Sequence, residues 1–174
     1  MIYYDDGIIL IRDLCETDPV IFAEEECTQG WDSSTEKLEM RLMDVSEGRA
    51  VSFAAEYCGE PAGYVSVYPD CKWGALGGKG YPEIVDFIVL EKFRRRGVGS
   101  KLMDIAEKTA SGYADTVYLG VGLHSGYGSA QRMYVKRGYI FDGSGVWYGG
   151  KVCPPYEKCI NDDDLNLYLY KKLR

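Results

Sequence analysis

The sequence predicts an α/β fold with six to seven strands and about four helices, and three observations support this prediction. In Glu83–Ala110, an apolar, largely β-branched run is followed by residues with helical periodicity. Two apolar segments, 49–56 and 62–68, flank a turn that contains glycine and proline. Leu165–Tyr170 alternates strictly, as a strand does. Because 174 residues can bury one core and no repeat or linker is visible, we expect a single domain over residues 1–174.

Composition and charge indicate which classes of partner to expect. With 46% hydrophobic and 27% charged residues and no 18-residue apolar run, the chain is predicted to be globular, with no membrane partner. The N-terminus lacks the basic and apolar regions of a signal peptide, so a cytoplasmic protein is expected. The net charge of −7 argues against nucleic acid as the main partner and favours a cationic one. A homodimer stays open.

The six cysteines give no sign of a metal centre. None of them forms a Cys-x-x-Cys pair, and the chain has one histidine, His124. Zinc ligands would have to be scattered across the fold, so we expect no metal. Without a secretory signal, free thiols are expected instead of disulfides.

The first half of the chain is expected to contain one strand, two helices and the hairpin over residues 49–68. Ile8–Leu14 suits a first strand. Thr17-Asp18-Pro19 is a helix start, because proline is tolerated in the first helical turn. Ser33–Glu36 has the capping-box pattern that begins a second helix. The glycine-rich segment Pro69–Pro82 is too irregular for a helix or strand, so we expect a loop.

The central stretch predicts a strand that is covered on both faces, followed by an amphipathic helix. Residues at helical spacing form the expected apolar face of that helix: Val98, Leu102, Ile105, Ala106 and Thr109. The remaining elements are a strand over Thr116–Val121, a helix over Ala130–Arg137 and a strand from Tyr139. A long excursion, Asp142–Asp164, precedes the last strand.

The junction between the central strand and its helix has the chemistry of an anion site. Residues 94–99 are Arg-Arg-Arg-Gly-Val-Gly. The first amides of a helix lack intrahelical partners and carry the positive end of the macrodipole. Glycine lets these amides approach a phosphate, and arginine adds charge-assisted hydrogen bonds. A solvated basic turn is the alternative interpretation.

Placed between this strand and this helix, Arg94-x-x-Gly97-x-Gly99 resembles the acetyl-CoA-binding motif of the GNAT superfamily of N-acetyltransferases. The Rossmann fingerprint fits less well, because its third glycine position is Leu102. A Walker loop fits less well too, since Lys79 is followed by glycine. The predicted order β-α-α-β-β-β-α-β-α-β-β is similar to the GNAT fold over essentially the whole chain. Ala130–Tyr139 resembles the family block A-x-x-x-Y-x-x-x-G-F/Y.

The resemblance implies a mixed, mostly antiparallel sheet whose central strand splays from its neighbour, and acetyl-CoA as co-substrate. Backbone groups of Phe87, Ile88 and Val89 would pair with the pantetheine arm. One of these amides would polarise the thioester carbonyl, in an oxyanion-hole role for a tetrahedral intermediate. The resemblance also assigns the pyrophosphate and its surroundings to one run of residues: Arg94, Arg95, Arg96, Gly97, Val98, Gly99 and Ser100.

The catalytic groups implied by the resemblance are Tyr134 and Glu83. Tyr134 matches the family tyrosine that protonates the departing CoA thiolate. An amine acceptor is mostly protonated near pH 7 and must lose a proton before it attacks. Glu83 opens the central strand in Glu-Ile-Val, which is similar to the base-bearing segment of the histone-acetyltransferase branch. Strand alternation would place Glu83 on the face of Phe87 and Asp86 on the opposite face, and Asp86 is the alternative base.

The sequence departs from the family pattern at two positions. Glu91 stands where many members have proline, and Tyr127 stands where several branches have an asparagine that contacts the cofactor. The second departure puts side-chain contacts to the cofactor from the helix near Tyr134 in doubt.

The acceptor is expected to be a primary amine on a small cationic or antibiotic-like molecule. Trp147-Tyr148 and Asp162–Asp164 lie in the late excursion, where aromatic and acidic groups would suit a cation. Three alternatives stay open: a protein or peptide N-acetyltransferase, a non-catalytic acyl-CoA-binding or regulatory module, and a nucleic-acid binder using the arginine run. The acidic balance speaks against the last.

Overall fold

The computed structural model describes residues 1–173 and contains both helices and strands. Its four α-helices are α1 (Asp18–Thr28), α2 (Glu36–Ser46), α3 (Val98–Ala110) and α4 (Gly128–Lys136). Short 3-10 turns occupy Glu91–Phe93 and Ser125–Tyr127. Its nine strands are β1 (Ile2–Asp5), β2 (Ile9–Asp13), β3 (Val51–Tyr57), β4 (Glu60–Tyr68), β5 (Glu83–Val89), β6 (Thr116–Gly122), β7 (Ile140–Tyr148), β8 (Lys151–Val152) and β9 (Leu165–Lys172).

The chain divides into two compact units. The first comprises Met1–Tyr68 and Val85–Thr109, and the second comprises Pro69–Ile84 and the chain from Ala110 onward. Strand β5 therefore begins in the second unit and continues in the first. The expectation of one domain over residues 1–174 stays a prediction.

The first unit is built on the antiparallel strands β1 to β4, with β5 next to β4. β2 pairs with β3, and β3 pairs with β4. The predicted hairpin is confirmed, and its turn consists of Cys58 and Gly59, which both have positive φ. Such a two-residue turn matches the right-handed twist of the strands it joins. The amide of Leu90, just past β5, donates to the carbonyl of Ala62 in β4 at 2.9 Å.

Helix α3 presents its apolar face to the core of the first unit, but the face is rotated from the predicted one. Leu102, Met103 and Ala106 are fully buried, whereas Ile105 and Thr109 are only half-buried. The predicted capping box of α2 is also wrong. The hydroxyl of Ser33, the first residue of the pattern, donates to the Glu26 carboxylate in α1, and the observed N-cap residue, Thr35, makes no side-chain cap bond.

The second unit is organised around β6. It pairs antiparallel with β9 along its whole length, and β9 pairs in turn with β7. The start of β5 pairs parallel to β6, with Glu83 opposite Tyr118. The core contains Val117, Tyr118, Leu119 and Leu169. The predicted excursion from Asp142 is partly wrong, because β7 continues to Tyr148 and pairs with β8 before the chain becomes irregular.

The predicted α/β class and the four helices are confirmed, and the strands are mostly antiparallel. Six to seven strands were expected and nine are described. The additional ones are β1 and β8, which have four and two residues. Both are too short to show a periodic pattern in sequence. Among the helices of residues 1–173, none combines the length and apolar character that crossing a membrane requires.

Candidate active site

The turn before α3 has the backbone geometry of an anion-binding loop. Arg95 has φ of +62° and Gly97 has φ of +91°, so both are in the left-handed region. The carbonyl of Gly97 accepts from the amide of Lys101 at 3.1 Å, which is a helical bond at the start of α3. The helix amides that precede Lys101 lie at the positive end of the macrodipole. The turn can therefore hold a phosphate group at this end of the helix.

Gly99 lets the first turn of α3 lie against β5. A Cβ built on Gly99 would lie 3.1 Å from Cζ of Phe87 and 3.3 Å from Cγ2 of Val89. A side chain at this position would therefore require the Phe87 and Val89 side chains to shift. The neighbouring Val98 is fully buried and fixes the helix start in the core. The glycine thus brings the turn before α3 and the strand to a close approach.

The three arginines are all exposed, and they have different partners. Arg94 donates from Nε to the carbonyl of Val89 at 3.3 Å, and its guanidinium lies over the Trp31 ring. The guanidinium of Arg96 lies 5.3 Å from the centre of the Tyr57 ring. Arg94 therefore ties the end of β5 to the turn, whereas no such contact to β5 is seen for Arg95 in the described chain. The roles of all three toward a cofactor stay predictions.

The backbone of β5 changes direction at Asp86. Its φ of +51° places a left-handed residue inside the strand, so side-chain alternation is interrupted there. The prediction that Glu83 shares a face with Phe87 assumed unbroken alternation and is not supported by this backbone. After Asp86, the carbonyl of Ile88 points toward β4, where a Cβ on Gly63 would lie 2.3 Å from it. By alternation, the backbone groups of Phe87 and Val89 then point away from β4.

Asp86, the alternative base, is engaged in an ion pair. Arg41 of α2 donates from Nε to the Asp86 carboxylate at 2.5 Å and from a terminal nitrogen to the Tyr68 hydroxyl at 2.8 Å. Both charged side chains are mostly buried. The Asp86 carboxylate is therefore already engaged by a partner within the first unit.

Glu83 is a buried carboxylate in the second unit. Its side chain is 4% exposed, and the thiol of Cys71 donates to Oε2 at 2.8 Å. The hydroxyl of Tyr118 lies close by and donates to the carbonyl of Trp73. The central strand was expected to be covered on both faces. Glu83 and Ile84 are buried, but the residues from Val85 onward are only half-buried. The contact with Cys71 was missed, because no spacing pattern links the two residues.

Tyr134 lies in α4 and is almost completely buried. Its ring centre is 5.8 Å from that of Tyr139. Burial, and to a smaller extent Tyr127, raises the pKa of Tyr134. The phenol therefore keeps its proton through the neutral range, as a general acid must. Helix α4 is attached to β6 by Gln131, whose side-chain amide donates to the carbonyl of Gly122 at 2.7 Å.

The segment before α4 contacts the acidic run of the late excursion. The hydroxyl of Tyr127 donates to the Asp163 carboxylate at 2.8 Å, and Nε2 of His124 lies 3.0 Å from the same oxygen. The indole N–H of Trp147 donates to the Ser144 hydroxyl, and its ring packs edge-on against Tyr168. Asp163 and Trp147, which were expected to line an acceptor site, thus have protein partners.

In residues 1–173, no three histidine, cysteine, aspartate or glutamate side chains converge where they could bind a metal ion.

A model of the Acetyltransferase (GNAT) family matches residues 16–139, more than half of the chain. The protein belongs to the GNAT family of acetyltransferases. It is therefore an acyltransferase, and the predicted family is confirmed.

Solved structures with a similar fold match the chain at low sequence identity. Ard1 from Thermoplasma volcanium is 20% identical with a TM-score of 0.67, over 95% of this chain and 97% of that one. The ribosomal-protein-alanine N-acetyltransferase from Brucella melitensis is 15% identical with a TM-score of 0.66, over 94% and 99%. The protein yncA from Salmonella typhimurium, solved with acetyl-CoA, is 14% identical with a TM-score of 0.66, over 96% and 95%. The search of curated proteins found no match.

Proposed function

We propose that this GNAT enzyme transfers the acetyl group of acetyl-CoA to a primary amine on a small cationic metabolite or antibiotic-like molecule. The observation that carries the proposal is the turn before α3. Its left-handed Gly97 and its close-packed Gly99 form the turn that would hold the diphosphate. Family membership supports the acetyl donor, and the charge of the chain supports the acceptor.

The residues of the first unit suit the diphosphate of acetyl-CoA. The amides of Gly97, Val98 and Gly99 would bind it, with Ser100 at the same helix end, and Arg95 and Arg96 would add positive charge. The backbone groups of Phe87 and Val89 point away from β4 and would bind the pantetheine arm. When bound, acetyl-CoA supplies an activated thioester for the transfer. Arg94 would act indirectly, by holding the carbonyl of Val89.

Glu83 would be the general base. Alkylamines have pKa values of about 10, so the acceptor arrives as an ammonium ion and must lose a proton before it attacks. A buried carboxylate is suited to take that proton, directly or through water. The ion pair with Arg41 makes Asp86 the less suitable of the two candidates. The acid would be Tyr134, whose proton is retained because burial raises its pKa.

The acceptor class rests on charge. A net charge of −7 attracts cationic molecules, and the late excursion contributes Asp162, Asp163 and Asp164. The contacts of Asp163 with His124 and Tyr127 reduce its availability for direct pairing. A cationic acceptor is therefore proposed on long-range attraction more than on a defined binding pocket.

A second candidate acceptor is the N-terminal amine of a protein or peptide. Two of the structures with similar folds are Ard1 and a ribosomal-protein-alanine N-acetyltransferase. The titratable chemistry at Glu83 and Tyr134 would be the same for either acceptor. Only the acceptor side would differ.

Release of free CoA thiol with a panel of acceptors tests these alternatives. The panel would contain spermidine, kanamycin, a peptide beginning with alanine, and glutamate as an amine with a net negative charge. Turnover with spermidine or kanamycin that is lost at high salt supports the small cationic acceptor. Turnover with the peptide alone would replace it by the second candidate. Turnover confined to neutral or anionic acceptors would remove the proposal.

A further inference from the structure

Cys71, in the loop Pro69–Pro82, contacts the proposed base. Its side chain is 1% exposed, and its thiol donates to Oε2 of Glu83 at 2.8 Å. The carbonyl of Trp73 lies at 3.7 Å from the same sulfur, so Glu83 is the nearer acceptor for the single thiol hydrogen. The backbone of Cys71 is fixed as well, because its carbonyl accepts from the amide of Gly78 at 2.8 Å.

The chemistry of this thiol is that of a neutral donor. Burial, followed by the hydrogen bond to Glu83, raises the pKa of Cys71 to about 11. At neutral pH the sulfur therefore keeps its proton and is a poor nucleophile. A role in disulfide exchange or in covalent catalysis does not fit such a group. Donation of a hydrogen bond to a carboxylate does fit, because that bond favours the charged form of the acid.

The loop Pro69–Pro82 is tightly packed just after Cys71. Gly74 has a φ of +76°, and a Cβ on it would lie 2.9 Å from the ring of Tyr168. The Tyr118 hydroxyl holds the carbonyl of Trp73 at 2.9 Å, two residues after Cys71. These contacts with Tyr118 and Tyr168 restrain the segment that follows Cys71.

Two tyrosines that interact with Glu83, Tyr118 and Tyr168, are neutral. Burial, and then the charge of Glu83, raises the pKa of Tyr118. Burial, with Glu83, Cys71 and Asp142 as smaller causes, raises the pKa of Tyr168 to about 12. Neither tyrosine ionises in the range where a carboxylate titrates. The hydrogen bond from Cys71 acts directly on the Glu83 carboxylate, beside a smaller hydrogen-bond contribution from the Tyr118 hydroxyl.

We propose that Cys71 is a positioning residue for the acetyl transfer: its thiol orients the Glu83 carboxylate, keeps it ionised and couples it to the conformation of the Pro69–Pro82 loop. The proposal rests on the role of Glu83 as base under the proposed function. It identifies the loop as the element through which the base is controlled.

The test measures the titration of Glu83 directly. The side-chain carboxyl carbon of Glu83 is followed by ¹³C NMR across pH, and its resonance is assigned by its loss in Glu83→Gln. Cys71→Val removes the donor at similar volume, and we expect it to raise the proton affinity of Glu83 about tenfold, one pKa unit. Cys71→Ser retains a donor and should keep Glu83 close to its wild-type titration.

A packing role would not produce this pattern, because serine would then be no better than valine. Equal titration of Glu83 in the wild type and in Cys71→Val would overturn the proposal. If Cys71→Val does not fold, as judged by its thermal transition, Cys71→Ala takes its place with the same expected direction.

Kinetics separate this proposal from the proposed function. With spermidine as acceptor, Glu83→Gln should abolish the acidic limb of the kcat/KM profile, and Cys71→Val should move that limb to higher pH. A profile that Glu83→Gln leaves unchanged overturns the role of Glu83 as base. A profile that responds to Glu83→Gln and not to Cys71→Val overturns the role of Cys71 alone.

Discussion

The Nε of Arg41 lies 2.5 Å from the carboxylate of Asp86, so an ion pair from α2 holds the left-handed residue of β5. Aspartate and asparagine are the residues other than glycine that adopt this backbone most readily. The same guanidinium also donates to Tyr68, whose hydroxyl donates to Asp44. The direction of the strand after Asp86 is therefore fixed by charge as well as by pairing with β4.

Asp86→Asn should lower stability without removing the base. Asparagine keeps the backbone preference but loses the charge-assisted bond to Arg41, so we expect the free energy of unfolding to fall by about 2 kcal/mol. The acidic limb of the kcat/KM profile should stay where it is. Urea unfolding gives the first quantity and initial rates give the second. Loss of the acidic limb in Asp86→Asn, with Glu83→Gln unaffected, would make Asp86 the base.

Gly97→Ala should abolish the stabilisation of the protein by acetyl-CoA. A side chain at a φ of +91° costs about 1–2 kcal/mol, and it alters the turn before α3 as well. Acetyl-CoA at 100 times its Kd should add about 2.7 kcal/mol to the wild type and nothing to the variant. Thermal unfolding with and without acetyl-CoA measures both.

Gly48→Ala is the matched control for that experiment. Gly48 has a similar φ of +72° in the same unit, and a Cβ there would meet nothing within 4 Å. The control should lose about the same stability, since the backbone strain is similar. It should keep the full gain from acetyl-CoA. An equal gain in Gly97→Ala and Gly48→Ala would show that the cofactor binds elsewhere.

Local sequence patterns were enough to predict the β5–α3 junction. The apolar run of β5, the periodicity of α3 and the spacing of Gly97 and Gly99 all lie within 28 residues, and each depends on nearest neighbours along the chain. The rotation of the α3 face, with Met103 buried in place of Ile105, was not predictable. It depends on what the helix packs against and not on the helix itself.

Contacts between distant residues account for most of what was missed at the site. Arg41 and Asp86 are 45 residues apart, and Cys71 and Glu83 are separated by an irregular loop. Neither pair has a spacing that indicates a contact. The failed capping box over Ser33–Glu36 has a related cause, because the Ser33 hydroxyl donates to Glu26 of α1 and does not cap α2.

Tyr134→Phe should lower kcat while leaving acetyl-CoA bound. The phenylalanine fills the same buried volume, but it cannot supply a proton to the departing thiolate. General-acid catalysis contributes a factor of about 10²–10⁴, so a loss of that size is expected. Tyr139→Phe, at the neighbouring ring, is the control and should retain kcat. Comparable losses in both variants would indicate a packing effect and not proton donation.

Asp18→Asn tests a charge that belongs to the fold and not to the site. Asp18 is 1% exposed, and it accepts two bonds from Arg12, at 2.8 and 2.9 Å, and one from the amide of Cys15. Burial works against the charged form, but the bonds from Arg12 and Cys15 outweigh it and lower the pKa of Asp18 below its usual value. The carboxylate therefore contributes stability above its unfolded pKa, about 3.9, and that contribution is lost as pH falls through its folded pKa.

We therefore expect Asp18→Asn to cost about 2 kcal/mol at pH 7 and progressively less below about pH 4, where the wild type also loses the charge. Denaturant unfolding between pH 3 and 7 gives the difference at each pH. The exposed Asp70, whose ion-pair partner is Lys72, serves as control, and Asp70→Asn should change stability by less than about 0.5 kcal/mol throughout. A difference between wild type and Asp18→Asn that is independent of pH would mean that asparagine disturbs packing, and that the ionised carboxylate contributes no stability of its own.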